Sequence, residues 1–426
     1  MRLRSSLHGC LLFVVTVFGH SNAVLAEDQP PPLGLPDVVG KIREYWRPQL
    51  ASGVIDASAL ESIAKTSLYP SFTMTSSQSY GPLNSMPAQI QRSSQLLLVG
   101  HVIQPSNWAQ ISAAQSGTKA AQLGVEGQLF TLAQNGIQTF YAYLETQKES
   151  ELQDRQIDRL KRTVDFLKEA TKVVLNDEAD LLAAEAELKA AEFQKNVLKS
   201  NLELASRDLR IAMGMNESEP VTLNADLPDA GSSKTLLTMD WGPVLDRHPA
   251  LRSLQEQQNS YSYQYRAYGY SWLPNLDANL GYSRNGALSP FGNTGSAPNE
   301  LSAGITLTWS IFDQGVRIAN ASQSNAHRNL AESQRFDQKR QFADTVTWLK
   351  NSYSLQSEAV KLNDARLDLA NQSYEAAWTL FSIGKKSFTS LQVTEDLLIS
   401  TELDSARTRI QLASTISTLK LWGGEL

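Results

Sequence analysis

Residues 301–311 read LSAGITLTWSI, and every second residue of this stretch is apolar or aromatic. Between them stand only serine, glycine and threonine. A period of two places alternate side chains on opposite faces of a β-strand, so one face is apolar and the other polar. A half-buried strand of a soluble sandwich has the same alternation. The 11 residues also match the roughly 9–11 that a tilted strand needs to cross a bilayer.

A second stretch, residues 275–283 (NLDANLGYS), alternates in the same way. Its Asn, Asp, Gly and Ser face suits a water-filled lumen, and aromatic residues at the strand ends suit a lipid interface. We therefore interpret both stretches as transmembrane strands. The candidates for the lumen face are Asn275, Asp277, Asn279, Ser302, Thr306 and Thr308. The candidates for the lipid face are Leu276, Leu280, Tyr282, Ile305, Leu307 and Trp309.

The chain is internally repeated. The segment RPQL at 47–50 recurs as HPAL at 248–251. Alternating stretches end at Ile103 and Ile311, and helical runs break near Asn176 and Gly384, so each pair is 208 residues apart (311 − 103 and 384 − 176). Matches in constant order at a nearly constant offset indicate a duplication. Each copy predicts a helix, a strand, a loop, a second strand, a long helix, a turn and a returning helix.

The predicted helices are unusually long. Residues 106–175 contain no proline, which allows one helix of about 105 Å. The returning helix, 177–212, carries apolar residues at near-heptad spacing, which is typical of coiled-coil packing. Stacked on the helix predicted at 241–271, it matches the long helix in length. The pattern therefore predicts a tall, hollow helical wall attached to the strands.

The repeat divides the chain into several segments. We predict a signal peptide at 1–26, a first repeat at 27–214, a linker at 215–240 and a second repeat at 241–423. The first repeat holds an entry helix, strands at about 68–78 and 95–104, a long helix at 106–175 and a return helix at 177–212. The second repeat holds a helix at 241–271, strands at 274–284 and 300–311, a long helix at 314–383 and a return helix at 390–422. Loops are predicted at 80–94 and 284–300.

The first residues indicate export. Arg2 and Arg4 precede a short apolar run at 11–18, and VLA at 24–26 supplies a cleavage site. The single cysteine, Cys10, lies in this segment, so we expect a mature chain without cysteine. No later apolar run reaches the roughly 18 residues of a membrane-spanning helix. A formal net charge of −6 without a Lys/Arg-rich block argues against nucleic acid as a partner.

The sequence shows no pattern of catalytic chemistry. The histidines beyond the predicted signal, His101, His248 and His327, do not have metal-ligand spacing, and no glycine-rich phosphate loop occurs. We therefore expect no enzymatic activity and no cofactor. Four strands do not close a barrel, and open strand edges are not tolerated in lipid. Several copies must combine: two would give eight strands and three would give twelve, and the sequence leaves this choice open.

Three segments resemble the TolC-type outer-membrane efflux and secretion channel family. They are TWSIFDQG at 308–315, RHPAL at 247–251 and LWGG at 421–424. The resemblance implies an α+β membrane protein, in which a long α-helical coiled-coil barrel forms a periplasmic tunnel. Four β-strands per chain would contribute to a trimeric 12-stranded transmembrane β-barrel. It further implies a homotrimer in the outer membrane of a Gram-negative bacterium, contacting outer-membrane lipid, a periplasmic adaptor (membrane fusion protein) and an inner-membrane transporter of the proton-driven or ABC type.

The resemblance also implies that adaptor docking and gating occur at two helical turns, residues 173–182 and 383–393. The candidate residues are Val174, Asn176, Asp177, Asp180, Gly384, Lys386, Ser387 and Ser390. The second turn lacks the acidic residues that ring the constriction in some members, which speaks against a cation-binding constriction. Asp177 and Asp180 also have a plainer interpretation, since acidic residues in the first turn of a helix complement its dipole.

The sequence and the resemblance together leave two functional hypotheses. The first is a passive exit duct of a tripartite efflux pump or type I secretion system, which conducts substrate from periplasmic partners to the exterior. The second is a non-conducting periplasmic coiled-coil structural or adhesin protein that is anchored in the outer membrane by its strands. The strands with Ser/Thr-lined faces and the internal repeat favour the duct. The transported substrate stays undetermined.

Overall fold

The computed structural model describes residues 32–83, 86–171, 178–217, 219, 221–224, 234–288 and 299–426. The described part of the chain consists of one four-stranded antiparallel sheet and a set of helices that continue from it. The predicted signal peptide at 1–26 lies outside these residues.

The internal repeat is visible in the helix lengths. α3 and α8 each span 67 residues, and α4 and α9, which return from them, each span 36 residues. The bounds are α1 Leu35–Leu50, α2 Ser52–Thr66, α3 Pro105–Thr171, α4 Glu178–Met213, α5 Lys234–Thr238, α6 Trp241–Asp246, α7 Pro249–Tyr270, α8 Val316–Ser382 and α9 Phe388–Gly423. Equal lengths in equal order agree with the predicted duplication.

The strands are paired in chain order, β1-β2-β3-β4, and each is antiparallel to its neighbour. Their bounds are β1 Ser71–Leu83, β2 Met86–Ile103, β3 Asn275–Leu288 and β4 Glu300–Thr308. The first two are longer than the predicted 68–78 and 95–104, and the loop predicted at 80–94 is largely strand. Serine and glutamine mask the alternation there, yet cross-strand bonds such as Ser77 Oγ to Ser93 Oγ (2.7 Å) continue the pairing.

Two predicted helices are broken. The helix predicted at 241–271 is divided into α6 and α7 at His248 and Pro249. Proline has no N–H for the helical ladder and is favoured at the first helical position, so it begins a new helix. The His248 ring nitrogen Nδ1 accepts a hydrogen bond from the Ala250 N–H (3.3 Å) and caps that helix. The predicted entry helix is likewise two helices, α1 and α2, joined at Ala51.

The long helices form a wall. At the end away from the sheet the helices lie in the order α4–α3–α9–α8, and nearer the sheet α7 takes the place of α9 between α3 and α8. α7 approaches α3 closely: a Cβ added at Gly127 would lie 3.3 Å from the Ala250 Cβ. Ser253 Oγ and Ser260 Oγ donate to carbonyls of α3 at 2.7 and 2.8 Å. Short helices are thus stacked between two full-length ones.

Apolar clusters fill the wall at several heights. One joins α1, α3 and α4 around Ile42, Ile137 and Leu209, and another lies near the α8–α9 turn around Phe381 and Leu391. In the described part of the chain, no helix has an apolar stretch long enough to cross a membrane.

Candidate functional site: the strand sheet and the helical turns

The strand register places five of the six predicted lipid-face residues, all except Trp309, on one face of the sheet. Paired residues form rows across the strands, and four successive rows of this face are almost wholly apolar. The rows are Ile103–Leu276–Leu307, Gly100–Ala278–Ile305, Phe72–Leu98–Leu280–Ala303 and Met74–Leu96–Tyr282–Leu301. The next row on this face, Ser76–Ser94–Arg284, is polar and ends the band.

The height of the apolar band fits a bilayer. Rows on one face lie two residues apart, or about 6.8 Å along a strand. Four rows on strands that are tilted by roughly 40° cover about 20 Å, close to the ~25 Å apolar band of membrane barrels. Side chains in the band are strongly exposed: Ile305 is 76% and Leu307 64% accessible. Within the described residues, this apolar surface is therefore left uncovered in a single chain.

The six lumen candidates share the opposite face of the sheet. On this face β3 presents its odd-numbered residues, among them Asn275, Asp277 and Asn279. β4 presents its even-numbered residues there, among them Ser302, Thr306 and Thr308. Ser302 Oγ donates to the Gly281 carbonyl (3.3 Å). In β2 this face carries Leu97 and Val99, so it is less polar than the second-repeat strands alone predict. β4 ends at Thr308 and not at the predicted 311, so Trp309 lies just beyond the strand.

Asp277 belongs to a polar cluster that the sequence did not reveal. Its Oδ1 lies 2.8 Å from Nδ1 of His101, its register partner in β2, and accepts from Gln104 Nε2 at 3.0 Å. Asn107 Nδ2 donates to Gln104 Oε1 (2.5 Å) and ties the cluster to the start of α3. The partners are more than 170 residues from Asp277 in sequence, so no local pattern could indicate them.

Arg317 anchors the sheet to the helices. Its guanidinium is 4.0 Å from the Trp272 ring centre and donates to the carboxylate of Asp313 (2.8 Å). It also donates to the Ser271 and Ser310 carbonyls at 2.9 and 2.8 Å, so the segments that lead into β3 and out of β4 meet at one buried cation.

The chain reverses at this junction. Gly315 has φ +85° and precedes α8, a left-handed conformation that glycine adopts without strain. Trp309 Nε1 donates to the Trp272 carbonyl (3.0 Å), just beyond the last strand pair, Asn275 with Thr308.

The second predicted turn lies between α8 and α9. Gly384 has φ +72°, and its N–H and that of Lys385 bond back to Phe381 and Leu380 carbonyls, both at 2.9 Å, which closes α8. Ser387 Oγ caps α9 by accepting from the Ser390 N–H (3.4 Å). Ser387 is exposed, whereas Lys386 and Ser390 are half-buried.

The first predicted turn is described only in part. Val174, Asn176 and Asp177 lie outside the described residues. Asp180 lies in the first turn of α4, where an acidic side chain complements the helix dipole. Near the two turns Gln392 Nε2 donates to Glu187 Oε1 (2.8 Å) and links α9 to α4.

A buried ionic cluster joins α3 to α9 between the turns and the middle of the wall. Arg159 donates to both carboxylate oxygens of Glu402, at 3.5 and 3.0 Å, and is 7% exposed. Its Nε is 3.5 Å from Oε1 of Glu395, which is 3% exposed, but the geometry is not that of a hydrogen bond. The Arg159 guanidinium also lies 6.0 Å from the Tyr374 ring centre.

Burial sets the protonation of Glu395. Because the carboxyl is removed from water and only weakly paired with Arg159, its pKa is raised to about 7. A raised pKa in the folded state favours folding most at pH below the unfolded value near 4.5, and this contribution is lost as the pH rises through 7. At about 1.4 kcal/mol for each pKa unit, the contribution is on the order of 3 kcal/mol per chain.

We therefore expect Glu395→Gln to remove a pH dependence. Glutamine resembles the protonated carboxyl, so the variant and the parent should unfold at the same denaturant midpoint at pH 5. At pH 8, where the parent must bury a charge, the variant should have the higher midpoint. Tryptophan fluorescence during urea titration at both pH values measures this. A midpoint difference that is the same at pH 5 and pH 8 would contradict the assignment.

Comparison with known proteins agrees with this geometry. The sequence profile of the outer membrane efflux protein family matches residues 243–424, which is most of the second repeat. No curated protein is similar enough in sequence to count as a relative.

Solved structures share the fold over nearly the whole chain. The outer-membrane channel OprN is 16% identical with a TM-score of 0.77, covering 92% of this chain and 89% of its own. VceC of Vibrio cholerae is 12% identical with a TM-score of 0.78, covering 91% and 96%. The Campylobacter jejuni channel CmeC is 17% identical with a TM-score of 0.74, covering 92% and 85%.

These findings confirm the predicted fold, in which long helices continue from four antiparallel strands as in solved outer-membrane channels. The resemblance to TolC-type outer-membrane channels is also confirmed, by the outer membrane efflux protein family for residues 243–424 and by the fold for the chain as a whole.

Proposed function

We propose that this chain forms the exit duct of a tripartite efflux pump, conducting substrate passively from periplasmic partners to the exterior. The observation that carries the proposal is the apolar band, four rows high, on one face of a sheet whose opposite face bears the lumen candidates. A band of this height matches the bilayer, and a polar reverse face suits water.

Closure of the barrel requires further copies. In the described sheet β1 and β4 are edge strands, each with one side unpaired. Unpaired backbone groups are not tolerated in lipid, so β4 of one copy must pair with β1 of the next. Three copies would supply twelve strands, and the shared fold with known outer-membrane channels supports a homotrimer.

The long helices then continue the barrel as a tunnel. We assign residues 27–214 and 241–423 to two structurally similar halves, with 215–240 as the belt between them. Energy for transport would come from an inner-membrane transporter, reached through a periplasmic adaptor. The description of the matched family as an outer membrane efflux protein supports efflux, and the transported substrate stays undetermined.

The helical turns are the proposed docking and gating region. Gly384, Lys386, Ser387 and Ser390 belong to the turn of α8 and α9, and Asp180 to the start of α4. Val174, Asn176 and Asp177 complete this proposed region. It is the part of the helical wall farthest from the sheet, where a partner that spans the periplasm would meet the duct.

A photo-crosslinking amino acid at Lys386 tests the docking proposal in the intact cell. We expect it to capture the adaptor, whereas the same group at the exposed Glu332, on α8 toward the sheet, should capture none. Capture from position 332 but not from 386 would contradict docking at the turn. Co-purification of a proton-driven pump would support the efflux role. Co-purification of an ATP-driven protein exporter would instead support a role in type I secretion.

A further inference from the structure

The last turns of α7 are rich in tyrosine. Five of the 13 tyrosines of the chain stand within ten residues, 261–270, just before the segment that leads into β3. Tyrosine is common at membrane–water interfaces, because its ring is apolar and its hydroxyl is polar. A passive duct does not require such a cluster, so its position beside the sheet calls for a separate explanation.

A cleft of about 660 Å³ lies between these turns of α7 and the start of α8. Its walls combine aromatic rings with two arginines, and no carboxylate lines it within the described residues. The side chains that give it this character are Tyr265, Tyr268, Tyr270, Trp272, Arg266 and Arg317.

The two arginines make the cleft favourable for an anion. Arg266 is exposed at its edge, 5.5 Å from the Tyr263 ring centre, and has no carboxylate within salt-bridge distance in the described part of the chain. Arg317 is buried and uses three of its five N–H groups on the Asp313 carboxylate and two carbonyls, which leaves two for a ligand. Asp313 balances the charge of Arg317, so the net positive charge of the cleft comes from Arg266.

The cleft adjoins the lipid-facing side of the sheet. Trp309 continues the alternation that puts Leu307 on the lipid face, and its indole nitrogen donates to the carbonyl of Trp272, which lines the cleft. Trp272 lies four residues before Leu276, a member of the last apolar row toward the helices (276 − 272). The cleft therefore begins where the apolar band ends, at the level at which a bilayer passes from hydrocarbon to headgroups.

Apolar side chains at the opening distinguish the cleft from a site for a small soluble anion. Ile318 is 63% and Trp272 49% accessible, and both lie beside the polar groups. Sites for free phosphate are typically cradles of backbone N–H groups, at a helix N-terminus or in a tight loop. A cation set among exposed apolar and aromatic side chains instead suits a ligand that is charged at one end and apolar at the other.

We propose that this cleft binds the phosphate group of a phospholipid in the periplasmic leaflet of the outer membrane. Arg266 and the free N–H groups of Arg317 contact the phosphate, and tyrosine hydroxyls donate to its oxygens. The acyl chains pass Trp272 toward the apolar band. The site rests on the proposed function, which places the sheet in the membrane, and it would fix the height of the duct in the bilayer.

A photo-crosslinking residue in the cleft tests the site. Tyr270 is 46% accessible and is replaced by p-benzoylphenylalanine. The purified protein in detergent micelles is irradiated with phosphatidylglycerol or with diacylglycerol of the same acyl chains. Intact-protein mass spectrometry should show the phosphatidylglycerol adduct and far less of the diacylglycerol adduct. A large excess of inorganic phosphate should leave the yield unchanged, and cells irradiated before solubilisation should also give a phospholipid adduct.

Arg266→Gln measures the contribution of the cation. The phosphatidylglycerol concentration that gives half-maximal crosslinking should rise about fivefold, the factor that corresponds to about 1 kcal/mol for an exposed charge pair. Arg252→Gln is the matched control. Arg252 is exposed on nearly the same face of α7, but 14 residues or about 21 Å farther from the sheet (266 − 252), and should leave the concentration unchanged.

Several results would overturn the site. Equal adducts with the two lipids would show an apolar contact without phosphate recognition, and equal effects of the two arginine variants would show a general attraction of charge. Suppression by inorganic phosphate would assign the cleft to a soluble anion. Adducts in micelles but none in cells would show that membrane lipid does not reach the cleft.

Conductance in planar bilayers separates the site from the duct. Conducting protein that forms no phosphatidylglycerol adduct overturns the site and leaves the duct standing. A phosphate-dependent adduct in inserted protein that carries no current supports the site and defeats the duct.

Discussion

Replacing Arg159 by methionine is expected to cost about 3–5 kcal/mol of unfolding free energy per chain, the range for removing one partner of a buried ion pair. Arg159 is 7% exposed and is the shared partner of Glu402 and Glu395. Methionine fills much of the volume but leaves the Glu402 carboxylate buried without its bidentate partner. The loss should appear as a large fall in the urea or thermal midpoint of the purified protein.

Arg407→Met is the matched control for this prediction. Arg407 also connects α9 to α3, through Glu145 and Glu149, but its side chain is 46% exposed. Exposed ion pairs are typically worth no more than about 1 kcal/mol, so the control should change the midpoint little. Equal losses of unfolding free energy in the two variants would show that burial does not account for the contribution of the Arg159 cluster to stability.

Replacing Ile305 by arginine is expected to prevent stable insertion of the sheet. Ile305 lies in the second of the four apolar rows, near mid-height of the band. Arginine on the lipid face costs roughly 2–4 kcal/mol near the bilayer midplane, and every copy in a closed barrel would incur this cost. The folded fraction after refolding into lipid vesicles, measured by protease protection and by resistance to unfolding in detergent, should fall sharply.

Thr306→Arg gives the control on the adjacent residue of the same strand. Thr306 is exposed and lies on the opposite face, opposite Asp277 in the register. In a water-filled lumen the arginine stays hydrated, so insertion should proceed close to that of the parent. Poor insertion of the Thr306 variant with normal insertion of the Ile305 variant would reverse the assignment of the two faces.

The sequence predicted those features that depend on local periodicity. β3 and β4 follow from alternation that is readable within ten residues, and α3 and α8 from long runs without proline. The extent of β1 and β2 could not be predicted in this way, because residues such as Ser77 and Ser93 do not alternate. Their strand conformation depends on hydrogen bonds to each other across the sheet.

The side-chain clusters depend on the fold and escaped prediction for that reason. Arg159 and Glu402 are 243 residues apart, and His101 and Asp277 are 176 apart. No rule of sequence spacing connects such positions, because only the helical hairpins and the strand register bring them together. The break between α6 and α7 is different, since Pro249 is a visible helix-start signal that the prediction of a single helix overlooked.

Single-channel recording in planar lipid bilayers tests directly whether copies of this chain close a water-filled duct through the outer membrane. We expect purified, folded trimers to insert and to carry a discrete ionic current. Arginine at Thr306 should alter the ion selectivity of that current, since it would add charge to the lumen face. Correctly folded trimers that insert into the bilayer and pass no current would contradict the duct and favour a non-conducting, membrane-anchored structural protein.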